Sequence, residues 1–491
     1  MFSLAACSDG GDDGGDDDVG GETSAEDEDT DESTDTEGEE STTEEESTTE
    51  EDTGGEPSLD DQLRELLAAE GVEPVPLPAP PDEAKFELGR LLFFDKELSG
   101  PRNISCATCH HPLLGSADAQ GQSKGQGAVG LGPLRVHSGP SLFLPRSALS
   151  LWNRGVEGWD TMFWDGRLGQ AEDDSFFSPA GDATPQDFDN ALAAFTIIPI
   201  TPDREMRGFS DQLDVFDQPN EMAGLTDADF EDIWGAVVAR VMAIDAYADM
   251  IDEAFPEVAP EDVDITVLSN AIGAFEGEAF LALDAPFDRY LAGDDDALPT
   301  AAKRGALLFY GEANCSGCHS GSLQSDFDFH NIAVPQVGTG NDTGPMTGDE
   351  PEAPLDLGRA RVTGEDADRF QFRTPSLRNV LLESPYGHNG AYATVEGMIA
   401  HHLDPEGSLA SYDDSQLDPE LVGSRAEVLA EVPDIDAQLL DSLDPLLIPA
   451  ALSDAELSDL VAFLSALVDQ DTLNQLDLVP ASVPSGLPVN D

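Results

Sequence analysis

Two copies of a short cysteine motif constrain this 491-residue chain more than any other feature. Four of its five cysteines lie in the segments Cys106-Ala107-Thr108-Cys109-His110 and Cys315-Ser316-Gly317-Cys318-His319. The C-x-x-C-H spacing is the attachment signature of c-type haem, in which two thiols bond to the macrocycle and the histidine becomes the proximal iron ligand. The predicted attachment residues are Cys106, Cys109, Cys315 and Cys318, and the predicted proximal ligands are His110 and His319.

Two other uses of paired cysteines stay open at this point. The four thiols could form a single zinc site, or each pair could be a thioredoxin-like redox pair. Neither use requires a histidine after each pair, so two covalently bound haems are the favoured interpretation. Haem of this type is attached outside the cytoplasm, which predicts an exported protein.

The charge of the chain excludes several classes of function. The sequence has 22 Lys+Arg against 101 Asp+Glu, for a formal net charge of -79. A nucleic-acid binder that neutralises phosphates needs a basic face, and charge-driven docking on anionic lipid needs the same. No run of 18 or more apolar residues is present, so no transmembrane helix is predicted.

The acidic residues are concentrated near the N-terminus. Residues 8–56 contain 24 Asp+Glu and no Lys or Arg, which leaves a formal charge of -55 on residues 57–491. Such a segment cannot bury enough apolar surface to offset its chain entropy, so residues 8–57 are predicted to be a disordered acidic tether. The alternative is a solvated tail with no specific role.

The first seven residues resemble a bacterial lipobox. Leu4-Ala5-Ala6-Cys7 has the pattern in which the cysteine is lipidated and becomes the mature first residue. Only six residues precede Cys7, fewer than the apolar stretch of a secretion signal requires. We interpret residues 1–7 as the remnant of a truncated signal with Cys7 as lipid anchor; a chance match is the alternative. This predicts a periplasmic or cell-envelope protein that meets the membrane only through its anchor.

Capping residues and apolar periodicity predict a mainly α-helical chain with long loops. Helices are expected to begin at Ser58, Thr226 and Ser453, each with an acidic residue three positions later and an apolar stripe following. Alternating strand patterns are scarce. The segment 338–354 is rich in Gly, Pro and acidic residues and is expected to be an exposed loop.

A weak internal repeat precedes the two cysteine motifs. The sequence Gly89-Arg90-Leu91-Leu92-Phe93-Phe94 in the first half matches Gly305-Ala306-Leu307-Leu308-Phe309-Tyr310 in the second. This predicts two cytochrome c-like haem domains packed together, an N-terminal one over residues 58–293 and a C-terminal one over 294–475. Residues 476–491 form a tail.

Histidine is scarce, which limits the choice of distal iron ligands. The chain has eight histidines. In the N-terminal half only His111 and His137 are not proximal ligands, and His111 directly follows one. His137 is therefore the natural distal candidate for the first haem, with a surface loop histidine as the alternative.

Further motifs give the chain a family resemblance. It resembles the bacterial di-haem cytochrome c peroxidases, the family that includes the methylamine-utilisation enzyme MauG, over about residues 83–470. The motifs that carry the resemblance, besides the cysteine segments, are Gly89–Asp95, Phe163-Trp164-Asp165-Gly166-Arg167, Pro286–Leu291 and Phe372–Asn379.

The resemblance implies roles for residues of the first haem site. His137 matches the displaceable distal ligand of the peroxide-reacting N-terminal haem, and Trp164 matches the tryptophan that relays electrons between the haems. Glu205, in Pro202-Asp203-Arg204-Glu205-Met206, matches the family's acid/base; Pro202-Asp203 stands where the family has Asn-Pro. Cleavage of peroxide needs a proton moved from its inner to its outer oxygen, which a desolvated carboxyl can do.

The resemblance also implies the sixth ligand of the C-terminal haem. The family has this ligand fourteen residues after the first histidine of a segment that here reads His388–Glu396, which points to His402, with His401 as the rival. The family uses Met or Tyr there, and a histidine should lower the haem potential relative to Met. A calcium ion between the domains is implied at Ser147, Glu383 and Pro385, although the family has Asn at the position of Ser147.

The resulting prediction is a di-haem c peroxidase that reduces hydrogen peroxide to water. Electrons from a small redox protein, of cytochrome c or cupredoxin type, pass from the C-terminal to the N-terminal haem. The acidic body favours a donor with a basic face, and a homodimer is one expected assembly. Two alternatives stay open: a MauG-like oxidase that modifies a protein or organic substrate, and a non-catalytic di-haem electron-transfer lipoprotein.

Overall fold

The computed structural model describes residues 57–138, 143–340 and 355–490. The predicted anchor Cys7, the tether and most of the 338–354 loop lie outside these residues. Within them the chain is mainly helical, and residues 57–491 form one compact unit. The helices are α1 Leu59–Ala69, α2 Glu83–Phe94, α3 Cys106–Cys109, α4 Ala191–Phe195, α5 Phe230–Met242, α6 Asp245–Ala254, α7 Ile265–Ala279, α8 Pro286–Leu291, α9 Thr300–Phe309, α10 Ala360–Thr363, α11 Val395–Leu403, α12 Pro405–Ala410, α13 Ser424–Glu431, α14 Ile435–Asp441 and α15 Asp454–Ser465.

The strands are short and antiparallel. They are β1 Ala128–Val129, β2 Val136–His137, β3 Thr161–Met162, β4 Leu168–Gln170, β5 Phe176–Phe177, β6 Phe329–His330 and β7 Phe372–Arg373. β1 pairs with β2, β4 lies between β3 and β5, and β6 pairs with β7. The strands therefore hold loops in register rather than form a layer of the fold.

Two aromatic-rich cores organise the helices. The first core is built mainly from α2 and α4–α7, with Phe93, Phe275 and Phe280 in ring contact. The second core is built from α1, α8, α9 and α15, with Phe309 and Phe463 in contact. A helix that precedes a cysteine motif contributes to each core, as the sequence repeat predicts.

The glycine that both copies of the repeat contain is required for the same reason in both cores. A Cβ on Gly89 of α2 would lie 1.8 Å from the carbonyl oxygen of Ala271 in α7. A Cβ on Gly305 of α9 would lie 1.9 Å from the carbonyl oxygen of Asp459 in α15. Only glycine permits these close helix crossings, because any side chain would force the backbones apart.

The ends of the described chain pack on opposite cores. Leu63 and Leu67 of α1 belong to the second core, and Lys303 of α9 pairs with Asp60 at 2.6 Å. At the other end Val483 is buried in the first core. The predicted division into domains 58–293 and 294–475 stays a prediction, but each core is completed by a segment from the far end of the chain.

Helix starts follow the predicted caps in two of three places. Ser58 and Ser453 each form a capping box, with Asp61 and Glu456 respectively. The prediction for Thr226 is wrong by four residues, because the Asp229 carboxylate accepts hydrogen bonds from the Thr226 amide and hydroxyl and closes a turn. α5 begins after that turn, at Phe230. No helix of the described part is long and apolar enough to span a membrane.

Candidate haem and peroxide-reacting site

Both cysteine motifs fold into the same kind of turn. In the first, α3 covers the two cysteines, and the His110 amide donates to the Cys106 carbonyl at 2.9 Å. In the second, the His319 amide donates to the Cys315 carbonyl at the same distance. Among the described residues none of the four cysteines forms a disulfide, and each is partly exposed. Each turn therefore presents two thiols and an adjacent imidazole to one neighbourhood, as haem attachment requires.

The two predicted proximal ligands share a protonation state. Burial lowers the pKa of both His110 and His319 to about 4, so each imidazole is neutral. Nδ1 of His110 lies 3.2 Å from the Ser116 carbonyl, and Nδ1 of His319 lies 3.1 Å from the Gln324 carbonyl. A carbonyl can only accept, so Nδ1 carries the hydrogen and Nε2 keeps the lone pair that a metal needs.

Two buried arginines fit the anionic side chains of a haem. Arg154 and Arg373 lie over the ring of Trp159, at 4.3 and 5.9 Å from its centroid. Among the described residues neither guanidinium has a carboxylate at ion-pair distance, and burial lowers both pKa values, to about 10 and about 9. A buried cation without a close counter-ion is costly, and haem carboxylates would supply one. The residues present therefore fit the group.

His402 lies opposite His319. Their ring centroids are 6.3 Å apart. Two imidazoles that ligate one metal from opposite sides have centroids about 6 Å apart, since each nitrogen lies about 2 Å from the metal. Nδ1 of His402 bonds the Met398 carbonyl at 2.8 Å, and burial lowers the pKa of the ring, so Nε2 holds a lone pair. The assignment of His402 as sixth ligand stays a prediction that this geometry favours.

His401 uses both of its ring nitrogens elsewhere. Nε2 lies 2.8 Å from the Ile332 carbonyl, and Nδ1 lies 2.8 Å from the Tyr392 hydroxyl. The ring is fully buried. A histidine with two hydrogen-bonded nitrogens cannot ligate a metal without breaking one of these contacts, so the geometry disfavours the rival ligand.

His137, the predicted distal ligand of the first haem, lies on the β1–β2 hairpin. Its Nδ1 donates to the Glu420 carboxylate at 2.6 Å, and its ring packs edge-on against Phe143 at 4.8 Å. Its Nε2 is buried and has no hydrogen-bond partner in the structure. A buried ring nitrogen without a partner fits a ligand role. Sequence reasoning missed Glu420, which follows His137 by 283 residues.

Glu205 lies in a π-helical turn, Asp203–Arg207. Burial raises the pKa of its carboxyl to about 7; Arg167 lowers this pKa and Asp227 raises it. The turn contacts the loop before β1, where the Gln126 amide donates to the Arg204 carbonyl at 2.7 Å. A carboxyl with a near-neutral pKa can both accept and return a proton near pH 7.

Trp164 connects the two halves of the described chain. Its indole N–H donates to the Ser147 carbonyl at 3.2 Å, and its own carbonyl accepts from the Arg373 amide at 2.9 Å. The adjacent Asp165 is buried and paired with Arg146 at 2.7 Å, and this cation lowers the pKa of Asp165 although burial raises it. The ion pair fixes the loop that carries Trp164.

One of the predicted calcium residues, Ser147, contacts the chain segment that follows Glu383 and Pro385. The Ser147 hydroxyl is 3.3 Å from the His388 carbonyl, and its amide donates to the same carbonyl at 2.8 Å. This joins Ser147 to the segment that contains Glu383 and Pro385. Burial raises the pKa of the Glu383 carboxyl to about 7. Calcium binding stays a prediction.

Two further histidines have structural contacts. His330 lies between the carboxylates of Asp326 and Asp444, at 2.9 and 2.8 Å, and its pKa is raised to about 11, chiefly by the hydrogen bond to Asp326. His388 stacks on Phe372 with ring centroids 3.5 Å apart. The carboxylates around His330 are separated from each other by more than a hundred residues, so the sequence pattern did not reveal them.

These features define a helical protein with two c-type haem attachment turns in one compact unit. A sequence model of the family described as di-haem cytochrome c peroxidase matches residues 83–296. The methylamine utilization protein MauG of Methylorubrum extorquens is 30% identical over 331 residues, which cover 67% of this chain and 71% of that protein. The chain therefore belongs to the di-haem cytochrome c peroxidase and MauG family, whose members carry two c-type haems.

Other similar proteins agree with this membership. The cytochrome c peroxidase Ccp of Escherichia coli is 28% identical over 341 residues, 67% of this chain and 55% of that protein. The structure of a MauG-like protein associated with microbial copper homeostasis has a TM-score of 0.54 and 26% identity, and covers 82% of this chain and 94% of that one. The diheme peroxidase BthA of Burkholderia thailandensis has a TM-score of 0.52 at 20% identity, and supports the fold alone.

Proposed function

We propose that the protein is an exported di-haem peroxidase that reduces hydrogen peroxide to water. Two protons and two electrons convert one peroxide into two water molecules. The first haem supplies the binding and one-electron chemistry at iron, with Cys106, Cys109 and His110 as its attachment and proximal ligand. The observation that carries the proposal is the half-buried Glu205 in its π-helical turn, where desolvation raises the pKa of the carboxyl to about 7.

Glu205 acts as the proton carrier of the reaction. As a carboxylate it takes the proton from the inner peroxide oxygen, and as a carboxylic acid it delivers that proton to the outer oxygen, which leaves as water. Arg167 lowers the pKa of Glu205 and so favours the carboxylate at the start. His137 must leave the distal position to admit peroxide. Among the described residues its ring contacts Phe143 and the partly exposed Glu420.

Electrons reach this site through Trp164. Cys315, Cys318, His319 and His402 would hold the second haem, which would supply the point where electrons from a small redox protein enter. Trp164 has backbone contacts to residues of both halves, which supports its role as relay. Trp159 is less suited, because the two guanidinium groups over its ring oppose the loss of an electron.

The haem type and the net charge support a cellular location and a kind of electron donor. Attachment of c-type haem outside the cytoplasm supports the periplasm or cell envelope, with Cys7 as lipid anchor. A net charge of -79 favours a donor, of cytochrome c or cupredoxin type, that presents a basic face. A calcium ion at Ser147, Glu383 and Pro385 and a homodimeric assembly remain parts of this proposal.

A second candidate is a MauG-like oxidase of a protein or organic substrate. The 30% identity to a MauG protein favours it. The residue at the sixth-ligand position is the discriminating feature, since the family resemblance implies Tyr for that class and the chain has His402. Oxidation of an added protein without an external electron donor would favour this candidate over the peroxidase.

Replacement of Glu205 tests the proposed function. Glu205→Gln keeps the size of the side chain but cannot carry the proton, so peroxide reduction should fall by about 10²–10⁴-fold with both haem spectra intact. In the unmodified protein kcat/KM should rise as the pH increases through about 7, because the carboxylate must be the starting form. The variant should lack this rise.

Asp203→Asn is the matched control, since it removes a carboxylate from the same turn without touching Glu205. This variant should keep both the activity and the pH profile. Full activity of Glu205→Gln, or equal losses in both variants, would show that Glu205 does not carry the proton.

A further inference from the structure

A row of four rings leads from a surface groove to the predicted ligand pair of the second haem. Tyr392 is 4.9 Å from His401, His401 is 6.3 Å from His402, and His402 is 6.3 Å from His319, measured between ring centroids. Tyr392 lies at the groove end of this row. Each of these centroid distances lies within the range of aromatic ring contacts.

The hydrogen bonds of Tyr392 fix the direction of its phenolic proton. The Ile332 carbonyl can only accept, so Nε2 of the neutral His401 ring carries the hydrogen. Nδ1 of His401 is then an acceptor, and the Tyr392 hydroxyl donates to it at 2.8 Å. Ser408 completes the site with its hydroxyl 2.8 Å from the same phenol oxygen. Tyr392 thus has a base in place to receive its proton.

The neighbouring tyrosine lacks such a base. The ring of Tyr412 lies 5.7 Å from that of Tyr392, and its hydroxyl donates to the Ala391 carbonyl at 2.6 Å. A peptide carbonyl cannot hold a proton at neutral pH. Loss of an electron from Tyr412 would therefore leave a protonated phenol cation, which is far less stable than a neutral radical.

Both tyrosines line a groove of about 500 Å³ between α11 and α12. Asp404, Asp413 and Gln416 line it as well, and no described Lys or Arg does. Gly397, Ala400 and Gly407 leave room for a flat molecule. The carboxylates can accept N–H groups and attract a cation, so the groove fits a small aromatic amine better than an anionic reductant.

We propose that Tyr392 is a redox-active residue through which small aromatic amines in this groove deliver electrons to the second haem. The inference rests on the proposed peroxidase function, in which hydrogen peroxide is the oxidant. Tyr392 is oxidised only after peroxide has reacted, because a resting haem with two histidine ligands has too low a potential to take an electron from tyrosine. Tyr392 gives one electron toward His402 and its O–H proton to Nδ1 of His401, which leaves a neutral tyrosyl radical. An amine then returns one electron to the ring and His401 returns the proton. Two such cycles and two protons from solvent convert one peroxide into two waters.

Electron paramagnetic resonance of the haem-loaded protein tests this role. Freezing after addition of peroxide should trap a tyrosyl signal that Tyr392→Phe abolishes and Tyr412→Phe retains. Both variants keep their rings, and unchanged haem absorption shows that each has folded. A signal of equal size in Tyr392→Phe, or its loss only in Tyr412→Phe, overturns the inference.

A second oxidant separates this inference from the peroxidase function. A photogenerated ruthenium(III) polypyridyl complex can remove an electron from tyrosine without peroxide. A Tyr392-dependent radical with this oxidant but no response to peroxide supports the inference and contradicts the peroxidase. A reaction of peroxide with the first haem but no Tyr392 radical under either oxidant overturns the inference alone.

The donor class is tested by the decay of the same signal. Addition of p-phenylenediamine should remove it faster than addition of an equal concentration of ascorbate, because the acidic groove attracts the amine and repels the anion. Equal decay rates with the two reductants would show that the groove does not select the donor.

Discussion

At the residue scale, two adjacent histidines of α11 differ in what their nitrogens contact. His402 bonds a carbonyl through Nδ1 alone and faces His319, whereas His401 bonds Ile332 and Tyr392 through both nitrogens. Both residues lie on one helical turn, so the spacing implied by the family resemblance pointed to His402 but gave no physical reason against His401. The choice comes from the groups that tertiary packing brings to each ring.

Replacing His402 by Met tests its role as ligand. His402→Met should raise the midpoint potential of the second haem, because a thioether ligand favours reduced iron, and should introduce a far-red methionine–iron band. Redox titration with absorption spectroscopy measures both changes. His401→Gln should keep the parent spectrum. Loss of the low-spin spectrum in His401→Gln, with no change in His402→Met, would reverse the assignment.

At the element scale, the helix before each cysteine motif crosses its partner at a glycine. The crossing of α9 with α15 leaves no room for a Cβ on Gly305, whereas Gly235 on the exposed face of α5 has nothing within 4 Å. The same substitution should therefore have opposite effects at these two positions.

Gly305→Ala should destabilise the protein by about 1–3 kcal/mol through overpacking. Gly235→Ala should stabilise it by about 1 kcal/mol, because alanine is the better helix former. Thermal unfolding of the haem-loaded protein measures the sign of each shift. Equal shifts in the same direction would show that the α9–α15 crossing relaxes without cost.

Much at this scale could be predicted from sequence, because it is local. The caps at Ser58 and Ser453 and the two attachment turns each depend on residues a few positions apart. The contacts that shape the site are not local. Glu420 at His137 and Arg373 at Trp159 come from the opposite half, and one sequence gives no pattern for such pairs. The start of α5 was mispredicted because the Asp229 carboxylate accepts hydrogen bonds from Thr226 and closes a turn before the helix.

At the scale of the whole molecule, each end of the described chain packs on the core that is built mainly from the other half. The Ser485 hydroxyl donates to Asp95 at 2.7 Å, and the buried Tyr247 donates to the other oxygen of the same carboxylate at 2.7 Å. Asp95 directly follows α2. The C-terminal segment thus stabilises the helix that leads into the first haem motif.

Removal of residues 481–491 should loosen the first core more than the second. The truncation exposes the site of Val483 and removes the Ser485 contacts, so amide hydrogen exchange should rise in α2 and α7 before it rises in α9 and α15. Ser485→Ala, which removes only the hydroxyl, should cost about 1 kcal/mol. Equal exchange in both cores after truncation would contradict this coupling.

The contact between the C-terminal segment and α2 also makes closure of the first core a late event in folding. Ser485 lies 390 residues after Asp95 in the sequence, and Val483 belongs to the same core. Closing a loop of that length costs chain entropy before any contact offsets it. We therefore expect α2, and the turn of Cys106 and Cys109 that follows it, to gain their last stabilising contacts after the rest of the first core has formed.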